Sequence, residues 1–96
     1  MTTVVFSHGQ ESGPWGTKIR AMAELVQQMG CAAESIDYQG IAEPAERVGK
    51  CVRECAQIND QLILVGSSMG GHVATAAAQE VGAAGLFVLA PAYFME

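Results

Sequence analysis

The sequence predicts an α/β fold: a doubly wound parallel sheet of about four strands with three helices, in one domain over residues 1–96. Three observations predict it. Four short apolar runs alternate with three segments of helical spacing, an order that builds βαβ units. Most of the apolar runs are continuous rather than alternating, as in strands buried on both faces. Glycines stand at the strand-to-helix joints, where such sheets make their sharpest turns.

Taken in order, the strand segments are residues 3–7, 32–37, 61–66 and 85–90, rich in Val, Ile, Leu or Phe. Ile19, Met22, Ala23, Val26 and Met29 recur at helical intervals, and Gly30 follows as a C-terminal cap. Val48, Cys51, Val52, Cys55 and Ile58 form a second stripe, with Pro44 placed to start its helix. Residues 69–81 form the third helix, rich in Ala and Gly and closed by Gly82. Right-handed crossovers then give the spatial order second, first, third, fourth strand. The first helix lies on one face and the other two on the opposite face. Strand 85–90 is apolar on both sides, yet this order leaves it at an edge, where charge or Pro is usual. A homo-oligomer partner or a further C-terminal segment is therefore expected to cover it.

Composition excludes several classes. A net charge of −5 opposes nucleic-acid binding. The five cations, Lys18, Arg20, Arg47, Lys50 and Arg53, are interleaved with acids and read as solvated helix faces. No window of about 20 residues is free of polar side chains, so no membrane span is expected. Three cysteines and no export signal point to a reduced, cytoplasmic setting. Cys51 and Cys55 are four apart on an apolar stripe without accompanying ligands, so they read as core; no metal or cofactor is expected.

The chemistry concentrates at Gly66-Ser67-Ser68-Met69-Gly70, a G-x-S-x-G between an apolar strand and a helix. A nucleophile on a tight turn needs neighbours without Cβ atoms, and Gly66 and Gly70 supply them, with Gly71 relaxing the packing further. Ser68 becomes the candidate nucleophile, and the Met69 N–H begins a helix whose amino end favours a developing oxyanion. A phosphate loop fails because His72-Val73 replace its Lys and Ser/Thr. His8-Gly9-Gln10 closes the first strand beside this turn. Gly9 lets the backbone approach, and the Gln10 N–H or a neighbour is the second expected oxyanion donor. His72 and His8 are possible bases. Trp15 either walls an acyl pocket or anchors the first helix, and Tyr93 and Phe94 line a pocket or cover the sheet.

Residues 4–9, 62–71 and 86–92 together resemble the α/β-hydrolase superfamily, being most similar to short bacterial esterase-like members with a strand-His-Gly loop and a G-S-S-[LM]-G-G elbow. The resemblance implies Ser68 as nucleophile, Met69 and Gln10 amides as oxyanion hole, and a small-molecule acyl ester as substrate. It also implies that the 96 residues match the first half of such a domain. The family's acid and His follow later in the chain, and only Glu96 is acidic after the fourth strand. The competing expectations are a non-catalytic α/β binding domain and a fragment that self-associates through its last strand.

Overall fold

The computed structural model describes residues 1–9 and 12–89. Its elements are β1 (Thr2–Ser7), α1 (Thr17–Gln28), β2 (Ala32–Ile36), α2 (Pro44–Cys55), β3 (Gln61–Ser67), α3 (Met69–Val81) and β4 (Gly85–Leu89). The sheet runs β2-β1-β3-β4, and every pairing is parallel. The predicted order is therefore found. Ala90, the predicted end of the last strand, lies outside the described residues, as do Tyr93, Phe94 and Glu96.

Each face of β1 feeds a different core. Val5 packs with Ile36, Leu62 and Leu64 against Cys51 and Cys55 of α2 and Val73, Ala74 and Ala77 of α3. Val4 and Phe6 pack with Val65 against Ile19 and Ala23 of α1. The period-two alternation of a strand divides these residues, and two-sided burial explains why β1 reads as continuously apolar. β2 departs from that expectation. Its segment Ala-Ala-Glu-Ser-Ile holds an exposed Glu34, which suits an edge strand.

The chain steps from β1 outward to β2 and then returns to the other side of β1 to lay down β3. This reversal opens a crevice at the carboxyl ends of β1 and β3, where Ser7 pairs with Gly66. At the opposite edge, β4 leaves Phe87 61% exposed and Leu86 38% exposed. Phe87 lies in register with Val65, on the face that α1 covers mainly over β1 and β2. No helix among the described residues is long and apolar enough to cross a membrane.

One reading of the cations is overturned. Arg47 is not on a solvated face but is 2% exposed in the first turns of α2. Lys18, Arg20 and Arg53 are exposed as expected, and Lys50 is half-buried beside Glu54.

Candidate active site

Ser68 stands between the last residue of β3 and the first of α3, with φ 55° and ψ −124°. Among the described residues it is the one non-glycine with positive φ. Such a conformation is costly for a residue with a Cβ and persists only where its surroundings impose it. Those surroundings are visible. The Ser68 N–H donates to the Leu89 carbonyl of β4 at 3.0 Å, and the Ser68 carbonyl accepts from Gly71 N–H at 2.9 Å. Ser68 occupies the N-cap position of α3, yet its hydroxyl makes no capping bond. The oxygen of an N-cap serine ordinarily accepts a bond from a helix amide. Here the turn carries Oγ away from those amides, leaving it half-exposed at the crevice.

Three glycines permit this, each for a different neighbour. A Cβ on Gly66 would stand 2.5 Å from the Gly70 carbonyl carbon, so Gly66 keeps the turn itself closed. A Cβ on Gly70 would stand 2.5 Å from the Ser7 carbonyl carbon and closer still to its oxygen. Gly70 thus answers to β1, a strand more than sixty residues earlier, rather than to the turn. A Cβ on Gly71 would meet Val88 Cγ1 of β4 at 2.6 Å. The elbow is wedged between both neighbours of β3.

Gly9 reaches the elbow from the end of β1. A Cβ there would lie 3.0 Å from Ser68 Cβ, so the loop backbone forms the wall beside the serine. The Gly9 N–H donates to Ser12 Oγ at 3.1 Å and is therefore engaged rather than free for an oxyanion. Gln10, the expected second donor, lies outside the described residues. The Met69 N–H occupies the first position of α3, where no carbonyl of a preceding helical turn reaches it. A cleft of about 250 Å³ runs from Ser67 and Ser68 past Ser12 to Gly16, Thr17 and Lys18 at the start of α1. The amino ends of α1 and α3 both face it. Gly16 provides no side-chain cap for α1, and Lys18 lines the cleft beside it.

Among the described residues, neither histidine is hydrogen-bonded to Ser68. His8 is 1% exposed. Its Nδ1–H donates to the Gly9 carbonyl at 2.7 Å, and its Nε2 accepts the Tyr38 N–H at 2.8 Å. Both nitrogens are thus committed, and the ring is held in its neutral Nδ1–H form. Burial is the main force lowering its pKa below the ordinary histidine value, aided by the Arg47 charge and opposed by the bond to Gly9. His72 lies one turn into α3 with an exposed side chain. Trp15 is 43% exposed and lines a surface hollow with Thr17, Arg20 and Glu24 that adjoins the Ser68 cleft at Gly16 and Thr17. Cys51 and Cys55 are buried free thiols in the α2–α3 core, as expected. Among the described residues no cluster could hold a metal ion.

The His8 geometry has a consequence for stability. Because its folded pKa is depressed, its contribution is complete above about pH 6.5 and is lost as pH falls, when the unfolded chain takes up the proton first. His8 contributes its share of this fall until the folded ring also takes up its proton. Urea unfolding at pH 7.5, 6.0 and 5.0 should show this decline, and a His8→Gln variant should lack that share of it.

Behind the loop, Tyr38 is fully buried, with its hydroxyl 2.9 Å from Ser7 Oγ and its ring 5.3 Å from that of His8. Nothing in the local sequence marks Tyr38 or Arg47 as part of this region. Only their position after β2 and in α2 brings them beneath the end of β1.

Among solved structures, the chain is similar to a protein described as a "putative hydrolase of the alpha/beta superfamily" from Xanthomonas campestris pv. campestris. The TM-score is 0.83 at 24% identity, covering 93% of this chain and 56% of that one. The match shows the α/β-hydrolase-like fold, of which this chain spans little more than half the neighbour's length. No curated protein matches. A family model matches residues 3–96, and with the sheet, the elbow and this match in view, the chain belongs to the uncharacterised protein family UPF0227.

Proposed function

We propose that this chain carries the nucleophile of a serine hydrolase acting on an ester or related acyl bond. The observation that carries the reading is Ser68, held at positive φ with its hydroxyl uncapped at the mouth of a cleft. Ser68 Oγ attacks the acyl carbonyl, the alcohol leaves, and water hydrolyses the acyl-enzyme. The Met69 N–H and the positive amino end of α3 stabilise the oxyanion. A general base is required, both ring nitrogens of His8 are already bonded, and His72 makes no described bond to Ser68, so the proposed base comes from polypeptide outside the described residues or from another chain. The cytoplasm is the proposed setting, in keeping with three free cysteines.

That no described histidine is bonded to Ser68 also favours a second reading, a binding domain without turnover. A fluorophosphonate probe applied to the whole protein separates the two. Covalent labelling mapped to Ser68 supports the hydrolase, and no labelling of folded protein removes it.

The proposal extends to β4, which is covered in the working protein by a second copy or by further polypeptide. Exposed Phe87 and Leu86 support this. If a second copy is the cover, size-exclusion chromatography should show a dimer that Phe87→Glu returns to monomer. A wild-type monomer whose Phe87 face still binds a hydrophobic dye opposes any cover.

A further inference from the structure

Arg47 presents a physical puzzle. It sits in the first turns of α2, the positive end of that helix, where a cation is disfavoured. It is almost fully buried, which costs a charged group several kcal/mol of hydration unless partners replace water. Helix formation therefore does not account for it. Its described partners do. Nε donates to the Ile41 carbonyl at 2.6 Å, and one terminal nitrogen reaches the Gly9 carbonyl at 3.4 Å. The guanidinium lies 5.4 Å from the centre of the Tyr38 ring, within cation–π range.

The Gly9 carbonyl is the meeting point. It also accepts the His8 Nδ1–H, so two donors from different parts of the chain hold one oxygen. A carbonyl held by two donors restricts rotation about the bond between it and the Gly9 α-carbon. Gly9 is also the residue whose α-carbon abuts Ser68. We propose that Arg47 is a positioning residue: its buried guanidinium ties the β2–α2 loop, through Ile41, to the Gly9 carbonyl and so pins the loop wall against the Ser68 elbow. The two-donor fork matters here. A lysine keeps the charge but has one nitrogen in place of the two separated donor atoms that Arg47 uses.

The role as a wall for acyl transfer rests on the hydrolase reading; the clamp itself does not, and the test reads the two separately. Hydrogen exchange at the Gly9 amide, which is bonded to Ser12, reports the loop in the whole protein. Arg47→Met removes the charge and both donors while filling similar space, and its global stability is measured alongside. Gly9 exchange should accelerate on the order of tenfold or more in Arg47→Met, and by less in Arg47→Lys, as loss of a charge-assisted bond implies. Fluorophosphonate labelling of Ser68 should slow in the same order. Leu62→Ala, which destabilises the core at the far end of β3, serves as the control. Gly9 exchange that rises in Arg47→Met only as far as global stability falls, as in Leu62→Ala, overturns the clamp. Accelerated Gly9 exchange with unchanged Ser68 labelling overturns its link to the serine. If wild-type protein is not labelled at all, the hydrolase reading fails, and Gly9 exchange still decides the clamp.

Discussion

Gly70→Ala should abolish the folded protein. The added methyl would overlap the Ser7 carbonyl and approach the His8 carbonyl to 2.8 Å, and both belong to the central strand and its exit. A flexible side chain could swing aside, but this backbone is fixed by parallel pairing to β2 and β3. Relief requires α3 to move off the sheet, disrupting the packing of Val73, Ala74 and Ala77. The expected loss exceeds about 4 kcal/mol, a large part of the stability of a domain this size. Soluble yield and thermal unfolding by circular dichroism check it. Gly49→Ala in α2 provides the contrast. Its methyl would meet only the Arg53 guanidinium, at 3.3 Å, and gains helix propensity. That variant should be stabilised by up to about 1 kcal/mol. Equal effects at the two positions would refute the account of the elbow.

The second large effect lies at Ser68, where stability and chemistry should separate. Under the hydrolase reading, Ser68→Ala loses activity on the order of 10⁶-fold, as removal of a nucleophile does in serine hydrolases, and fluorophosphonate labelling vanishes. Ser68→Gly is equally inactive for the same reason. Their stabilities differ. Alanine keeps the Cβ at φ 55° and so keeps the strain. Glycine relieves it, at some cost from a more flexible unfolded chain. The net gain of Ser68→Gly over Ser68→Ala should be about 1 kcal/mol, or about 4–8 °C in Tm. Strain of this kind at an uncapped serine is the expected signature of a position held for reactivity rather than for folding. Equal melting temperatures for the two variants would mean that the turn holds no strain worth relieving.

The sequence alone determined the order of elements, the strand neighbours and the elbow serine. These rest on local properties: the spacing of apolar side chains, the helix stop at Gly82, and the absence of Cβ atoms around Ser68. Local rules read such features because each is decided within a few residues. The tertiary structure alone decided the rest. Gly70 is required by β1, Gly71 by β4, and the His8 proton by Gly9 and Tyr38. Arg47 misled the sequence reading because, in Glu46-Arg47-Val48-Gly49-Lys50, it looks like one more solvated cation. What buries it are carbonyls at Gly9 and Ile41, brought to it by the sheet order. A charge is held in the interior only by partners that replace its water, and those partners come from segments that meet only once the fold has formed.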